Sequence, residues 1–253
     1  MTTEFSSLRS PPLLASDDAY LSDFDGTLVE LAARPEAIRP AAGLAGWLQQ
    51  LRLHLDDAVA IVTGRRLADV ERYLAPLQLI GAGAHGAERR LSHGGPIAPV
   101  VEPLDPTMTA QIEAAIADLQ DVWVENKTYA LAVHFRQNPA AADDCLGRVQ
   151  HVAAAYSQVI VLNGHAVVEV RRAGIGKGAA VGDLLSHPVF AGRRPFFVGD
   201  DFADEEGFHV VQAAGGVGIK VGGGETAAHY RLADVAAVHE WIRESLVHMQ
   251  RVP

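Results

Sequence analysis

The stretch Ala19-Tyr20-Leu21-Ser22-Asp23-Phe24-Asp25-Gly26-Thr27 leads from a short apolar run into two aspartates that are separated by one residue. Residues 19–24 predict a β-strand, because a short apolar run of this kind is typical of a strand buried in a sheet. The same order recurs along the chain, where strand-like runs alternate with helix-like runs. This alternation predicts an α/β fold with a Rossmann-like core and a parallel sheet.

The α/β pattern occupies both ends of the chain. Core strands are expected at residues 19–24, 59–62, 79–82, 195–198 and 216–221. Core helices are expected at residues 41–53, 67–74, 177–185, 203–213 and 235–246. Segment 41–53 illustrates the helical spacing, since Leu44, Trp47, Leu48 and Leu51 share one face.

Residues 104–170 follow a different pattern, in which β-type runs come in pairs. Helices are expected at 107–119 and 140–155, and strands at 122–126, 129–136, 159–162 and 165–171. The last two strands are separated by Asn163-Gly164, a strong hairpin signal because both residues tolerate a positive φ. This α+β pattern predicts an inserted second domain at 104–170, so that residues 1–103 and 171–253 form the core.

Composition places the chain among ordinary soluble globular proteins and restricts its partners. Among 253 residues, 31 Asp and Glu outnumber 21 Lys and Arg, and the formal net charge is −10. This balance disfavours nucleic-acid binding and requires any phosphate site to be built locally. The single cysteine, Cys145, excludes an intrachain disulfide and a cysteine-rich metal site. Because no targeting segment and no apolar stretch of bilayer length is visible, we expect a cytoplasmic protein without a membrane partner.

Polar residues follow the predicted core strands at the end where an open parallel sheet binds its ligands. Asp23 and Asp25 follow the first strand, Thr63 the second and Asp200 the strand at 195–198, while Lys177 begins a helix. One aspartate at a strand end is usually a turn or capping residue, but turns alone do not explain the whole set. Clustered carboxylates repel one another unless a cation neutralises them. Oxygen ligands without histidine or cysteine favour Mg²⁺ as that cation.

A metal and a phosphate together give each of these groups a role. Asp23 would be the nucleophile that forms an aspartyl-phosphate intermediate. Asp25 would protonate the leaving alkoxide and later activate water. Thr63 would offer its hydroxyl and N–H to phosphate oxygens, and Lys177 would offset charge on Asp23 and the phosphoryl group.

Four segments resemble, in the expected order, the motifs of the haloacid dehalogenase-like (HAD) phosphatases. They are Asp23-Phe24-Asp25-Gly26-Thr27-Leu28, Thr63-Gly64-Arg65, Lys177-Gly178, and Gly199-Asp200-Asp201 with Asp204-Glu205. The resemblance implies a core with an inserted α/β cap, Asp23 as nucleophile and Asp25 as acid/base. It also implies that Mg²⁺ is held by Asp23, the Asp25 carbonyl oxygen and Asp200, with Asp204 or Asp201 in support. One departure is Ala203, where the family often has threonine, and it affects a local hydrogen bond rather than the metal ligands.

More narrowly, the chain is similar to the trehalose-6-phosphate phosphatases from about residue 21 to residue 241. The segments that carry this likeness are Gly83-Ala84-His85-Gly86-Ala87-Glu88, Glu125-Asn126-Lys127, His134-Phe135-Arg136 and Glu169-Val170-Arg171. The resemblance implies hydrolysis of a small-molecule sugar phosphate, trehalose 6-phosphate, and leaves association with a trehalose-phosphate synthase open. The residues that it assigns to substrate binding are Gly64, Arg65, His85, Glu88, Glu125, Lys127, His134, Arg136 and Glu169.

The inserted segment favours a sugar ligand on independent grounds. Strand alternation puts Leu131, Val133 and Phe135 on one face and His134 and Arg136 on the other. Solvent exposure explains any one of these polar residues equally well. A polyhydroxylated ligand, however, requires many hydrogen-bonding groups of both charges, and the polar face supplies them.

Two other functions remain open at this point. The first is another capped sugar phosphatase, acting on sucrose phosphate or a glycosyl-phosphoglycerate, although the Gly-x-His-Gly-x-Glu stretch favours trehalose phosphate. The second is a catalytically silent domain that binds a phosphosugar and regulates a synthase. The intact set of Asp23, Asp25, Lys177 and Asp200 argues against a silent domain.

Overall fold

Two β-sheets, each with its own hydrophobic core, organise the chain in the computed structural model, which describes residues 9–32, 34, 37–164 and 166–251. The chain divides into two compact units, Met1–Ala98 with Gly176–Pro253 and Pro99–Ile175. The segment 104–170, which the sequence pattern marks as an insert, lies within the second unit.

The secondary structure follows the alternation expected from the sequence, with several short strands added. In chain order, the strands are β1 (Asp18–Ser22), β2 (Val59–Val62), β3 (Ile80–Gly83), β4 (Glu88–Arg90), β5 (Ala98–Pro99), β6 (Trp123–Asn126), β7 (Ala130–His134), β8 (Val159–Gly164), β9 (Val167–Arg172), β10 (Arg194–Gly199), β11 (Val217–Val221) and β12 (Tyr230–Leu232). The helices are α1 (Leu44–His54), α2 (Leu67–Leu74), α3 (Pro106–Ile116), α4 (Ala142–Ala153), α5 (Lys177–Leu185), α6 (Phe202–Ala213) and α7 (Val235–Arg251).

Over the described residues, the larger sheet has eight strands in the order β12-β11-β10-β1-β2-β3-β4-β5. The strands from β12 to β3 pair in parallel, and β4 is antiparallel to β3. Strands β1, β2 and β11 are buried along their whole length, as expected of parallel strands covered on both faces. The predicted α/β fold with a parallel core sheet is therefore confirmed.

Strand β1 ends at Ser22, two residues before the predicted end at residue 24. The Phe24 carbonyl accepts hydrogen bonds from the N–H groups of Leu28 and Val29, so the chain already turns at Phe24. The Asp23 N–H still donates to the Val198 carbonyl on β10. Asp23 is therefore anchored to the sheet, whereas Asp25 belongs to the loop that follows.

In the second unit, the residues that the structure describes form a four-stranded antiparallel sheet in the order β6-β7-β9-β8. One face of this sheet packs against α3 and α4. The residues of this small core include Met108, Ile112, Leu131, Val133, Cys145, Val149, Val168 and Val170. Strand alternation places His134 and Glu169 on the opposite face, together with the buried side chains of Ala130, Ala132 and Arg171.

The predicted turn at Asn163-Gly164 is wrong. Both residues lie in β8, where Asn163 pairs with Val168 and Gly164 with Val167. The paired strands are therefore separated by residues after Gly164, and His165, the predicted first residue of the last strand, lies outside the described residues. This register pairs Val161 with Val170 on the core face, whereas a turn at 163–164 would leave Val170 opposite a polar residue. Burial of one sheet face therefore decides the register against local turn preference.

Among the described residues, no helix has the length and apolarity that crossing a membrane requires.

Candidate active site

The polar residues predicted to cluster do lie at the carboxyl ends of adjacent parallel strands. Asp23 follows β1, Thr63 follows β2 and Asp200 follows β10, and β1 lies between the other two strands. The Thr63 N–H donates to the Ala82 carbonyl, and its hydroxyl oxygen accepts from the Arg65 N–H. Parallel strands present these groups at one edge because all their carboxyl ends point the same way.

Lys177 forms the centre of the charged cluster. It is the first residue of α5, and it is only 2% exposed. Its Nζ lies 3.1 Å from Oδ2 of Asp23 and 2.7 Å from Oδ1 of Asp204. Its distance to Oδ1 of Asp201 is 3.5 Å. A buried ammonium requires such partners, because a lone buried charge is strongly unfavourable.

Asp204 orders the loop that carries the other two aspartates. Its Oδ2 accepts the backbone N–H groups of both Asp200 and Asp201, at 3.0 Å each, while its Oδ1 binds Lys177. The Asp201 side chain in turn accepts the Asp204 N–H and caps α6. This reciprocal pair stabilises the helix start and fixes the direction in which the Asp200 carboxylate leaves the loop.

Burial raises the pKa of Asp23 to about 7, against the opposing effect of the Lys177 ammonium. The charges of Asp201 and Asp200 raise it further. Burial, and next the charge of Asp23, also raise the pKa of Asp204 well above its usual range. Burial lowers the pKa of Lys177, but the carboxylates of Asp23 and Asp204 outweigh burial and raise it overall. One buried cation is therefore not enough to neutralise this set of carboxylates.

Three of these carboxylates fit a divalent cation. Asp23, Asp200 and Asp204 each offer an oxygen, and these oxygens lie within 4.8 Å of one another. The donors are carboxylate oxygens, the ligand type that Mg²⁺ and other hard divalent ions prefer. Asp200 is tied to the motif at residues 23–28 by a 3.4 Å hydrogen bond from the Thr27 hydroxyl. Burial and the charge of Asp201 raise the pKa of Asp200, as expected for a carboxylate that a cation would stabilise.

Lys220 is a site residue that the sequence analysis missed. It lies on β11, is buried, and donates hydrogen bonds from Nζ to the carbonyls of Asp200 and Val221. It thereby holds the backbone of the residue whose carboxylate faces the cluster. A lysine inside the apolar run Val217-Gly218-Ile219-Lys220-Val221 is the signal that could have found it.

Arg65 contacts Asp25 through two parallel hydrogen bonds. Its Nε lies 2.5 Å from one carboxylate oxygen of Asp25, and a terminal nitrogen lies 2.6 Å from the other. The guanidinium also stands 5.8 Å from the centroid of the Tyr73 ring. Fork-like pairing of this kind fixes the orientation of a carboxylate as well as its charge. Arg65, expected to bind substrate, therefore lies where it orients the predicted acid/base.

His85 and Glu88 occupy different surroundings within their shared segment. His85 adopts a positive φ of 52° and packs so closely on Gly64 that a Cβ there would lie 2.6 Å from its Nε2. Glu88 is 4% exposed, and its Oε1 accepts the Leu67 N–H at the start of α2. His85 is thus placed beside the loop after β2, whereas Glu88 supports that loop from within the core.

The predicted sugar-binding residues of the second unit also form a cluster. Glu125 lies 3.0 Å from Nε2 of His134 and 3.6 Å from Nζ of Lys127. Glu169 pairs with Ala132 on the neighbouring strand, which places it on the same sheet face as His134. Arg136 is exposed beyond the end of β7. The face therefore carries groups of both charges within a short distance.

Comparison with known proteins supports this combination of fold and motifs. The sequence profile of the trehalose-phosphatase family matches residues 21–236. The trehalose-6-phosphate phosphatase of Escherichia coli (strain K12) is 33% identical over 245 residues, which are 96% of this chain and 92% of that protein.

Solved structures agree on the fold. The C-terminal domain of trehalose-6-phosphate phosphatase from Candida albicans superimposes with a TM-score of 0.77 at 22% identity, covering 91% of this chain and 93% of that chain. A phosphatase of the HAD superfamily from Bacteroides thetaiotaomicron gives a TM-score of 0.63 at 15% identity, and the match covers 98% of this chain and 100% of that chain. Because the family profile matches residues 21–236 and the identity extends over 92% of a relative, the chain belongs to the trehalose-phosphatase family.

Proposed function

We propose that this chain is a Mg²⁺-dependent phosphatase that hydrolyses trehalose 6-phosphate to trehalose and phosphate through a phosphorylated Asp23. The observation that carries the proposal is the buried cluster in which Lys177 contacts Asp23 and Asp204 beside the Asp200 carboxylate. Family membership supplies the reaction class, a phosphoric monoester hydrolysis.

The first step is attack of an Asp23 carboxylate oxygen on phosphorus. The new O–P bond forms as the ester O–P bond to the sugar breaks, and the departing sugar oxygen takes a proton from Asp25. In the second step Asp25 takes a proton from water, the resulting hydroxide attacks phosphorus, and the bond to Asp23 breaks. Inorganic phosphate leaves and the Asp23 carboxylate is regenerated.

The other residues of the cluster stabilise charge and hold geometry during both steps. Lys177 lies within hydrogen-bond distance of Asp23 and offsets negative charge that develops on the phosphoryl oxygens. Thr63 offers its hydroxyl at the end of the neighbouring strand. Arg65 holds the Asp25 carboxylate in one orientation for both of its proton transfers.

Asp23, Asp200 and the Asp25 carbonyl oxygen would hold Mg²⁺, which supplies positive charge to a phosphate dianion when bound. Asp204 is assigned a different task, because both of its oxygens are already engaged by Lys177 and two backbone N–H groups. It positions the Asp200 loop and supports the metal indirectly.

Recognition of the sugar is assigned to the polar sheet face of the second unit. Glu125, Lys127, His134 and Glu169 combine acceptors and donors of both charges on that face. Sugar hydroxyls both donate and accept, so such a mixture suits them better than groups of one sign. The single cysteine favours a reducing compartment, the cytoplasm, for this reaction. Association with a trehalose-phosphate synthase stays a prediction.

The test is phosphate release from trehalose 6-phosphate, sucrose 6-phosphate and glucose 6-phosphate, each with Mg²⁺ and with a chelator. We expect fast, Mg²⁺-dependent release that is selective for trehalose 6-phosphate, and none from the folded Asp23→Asn variant. Release only from another sugar phosphate would retain the chemistry and refute the sugar assignment. Binding of trehalose 6-phosphate without any release would indicate a regulatory domain instead.

A further inference from the structure

Trp123 is an exposed aromatic residue that none of the roles above uses. It lies on β6, the edge strand of the second unit's sheet, and 55% of its surface is accessible. Trp241, by contrast, is 4% exposed in the core of the first unit. A single exposed apolar residue needs no explanation by itself, so the case for Trp123 depends on what it contacts.

Trp123 belongs to the same sheet face as the charged cluster. It pairs with His134 across β6 and β7, and the two rings stack with centroids 4.2 Å apart and planes 22° from parallel. His134 in turn bonds Glu125, which lies two residues after Trp123 and so on the same face of β6. The imidazole covers part of one face of the indole and leaves much of the ring accessible.

This arrangement combines the flat apolar surface of an indole ring with charged hydrogen-bonding groups at its edge. A pyranose ring has the complementary character, with apolar C–H groups on its faces and hydroxyls around its rim. Binding sites for small molecules commonly pair aromatic walls with a few placed polar groups. The cluster of Trp123, Glu125 and His134 has that composition.

We propose that Trp123 stacks against the C–H face of a glucose ring of the substrate while Glu125 and His134 bind its hydroxyls. The inference rests on the proposed function and adds an apolar specificity determinant to it. Stacking depends on a flat aromatic surface, so phenylalanine should replace tryptophan in large part, whereas leucine should not.

The experiment compares wild type with Trp123→Ala, Trp123→Leu and Trp123→Phe. Two substrates are used, trehalose 6-phosphate and acetyl phosphate, which has no ring. We expect Trp123→Ala and Trp123→Leu to raise KM for trehalose 6-phosphate about tenfold with kcat nearly unchanged, and Trp123→Phe to stay within about threefold of wild type. Acetyl phosphate hydrolysis should be the same in all four proteins.

A second readout reports contact directly. Trp123 is one of three tryptophans in the chain. Because the sugar is proposed to stack on Trp123, binding of trehalose 6-phosphate should change the intrinsic fluorescence of the Asp23→Asn variant. That change should be lost when Trp123→Phe is added.

Four outcomes would overturn the proposal. Equal losses with both substrates, or a fall in kcat alone, would mean that Trp123 supports the fold or the chemistry rather than the sugar. A rise in KM for Trp123→Ala that disappears in a His134→Ala background would mean that Trp123 acts only by holding His134. An unchanged KM for trehalose 6-phosphate would refute the stacking while leaving the proposed function intact. If the wild-type protein hydrolyses acetyl phosphate but not trehalose 6-phosphate, the proposed substrate is refuted. The proposed stacking of its glucose ring on Trp123 is then refuted as well.

Discussion

Replacing Gly26 by alanine tests whether the position of the Asp200 carboxylate controls metal binding. Gly26 adopts a φ of +71°, and it lies against the Asp200 side chain. A Cβ at this position would come within 2.7 Å of both carboxylate oxygens of Asp200, closer than Cβ atoms approach other atoms. Alanine therefore imposes two separate penalties, one on the backbone and one on the carboxylate.

The two penalties have different sizes and different readouts. A left-handed backbone costs an alanine about 1–2 kcal/mol in the free energy of unfolding. To escape the Cβ, the carboxylate must retreat by roughly 1 Å, a displacement that can lower catalysis by about 100-fold. Mg²⁺ requires near-ideal ligand distances, so its affinity should fall by a similar factor.

Gly192→Ala is the matched control. Gly192 has a φ of +78°, but nothing lies within 4 Å of where its Cβ would stand. It should therefore show a comparable backbone penalty without disturbing Asp200. Urea unfolding measures the first penalty in both variants, and calorimetric Mg²⁺ titration together with kcat/KM measures the second.

The expected result is a comparable loss of stability in both variants, with loss of Mg²⁺ affinity and activity only in Gly26→Ala. Wild-type Mg²⁺ affinity in Gly26→Ala would refute the reasoning, because the carboxylate would then not have been held by contact with Gly26. Equal loss of affinity in Gly192→Ala would refute it too, since general destabilisation would then explain both.

Three further predictions concern neighbouring groups. Lys220→Met removes the donor to the Asp200 carbonyl and should weaken Mg²⁺ binding about tenfold, as measured by calorimetry. An unchanged Kd for Mg²⁺ would show that Lys220 does not position Asp200 for metal binding. Arg65→Lys cannot form two parallel bonds to Asp25, so kcat for trehalose 6-phosphate should fall about tenfold. With acetyl phosphate, whose leaving group needs no proton, single-turnover phosphorylation of Asp23 should change less than twofold, and an equal fall in this first step for both substrates would contradict the role. In chelator, Asp23 should contribute a loss in the free energy of unfolding as pH rises from about 4 to about 7, because the pKa of Asp23 is raised from 3.8 to about 7 on folding. Urea titrations at several pH values should show wild type losing stability relative to Asp23→Asn across this range, and a constant difference between the two would show that Asp23 does not titrate there.

The sequence predicts the larger features because they depend on patterns that local physics enforces. The strands that bear Asp23, Thr63 and Asp200 are short apolar runs, and parallel pairing brings their ends together without further information. The charge cluster around Lys177 follows from this topology. The same pattern explains why the α/β class and the order of the main helices are correct.

What the sequence did not reveal depends on contacts between distant residues. The pairing of Arg65 with Asp25 spans two loops, and nothing in the spacing distinguishes it from an arginine on phosphate. Glu88 was assigned to substrate binding through the family resemblance, and its hydrogen bond to a helix start 21 residues earlier is a contact that no local pattern reveals. The turn prediction at Asn163-Gly164 was wrong because turn preference is local, whereas strand register depends on the whole buried face of the sheet.

The central place of β1 has a consequence for synthesis of the protein on the ribosome. Its pairing with β10 joins residues as far apart as Asp18 and Arg194, so this edge of β1 has no partner until most of the chain has been translated. A nascent chain that ends before β10 holds β1, β2 and β3 with an open apolar edge, which invites pairing with other chains. Asp23 emerges early but meets Lys177 and Asp200 only after β10 has been translated. The nascent polypeptide therefore keeps this edge of β1 open to pairing with other chains until β10 has emerged.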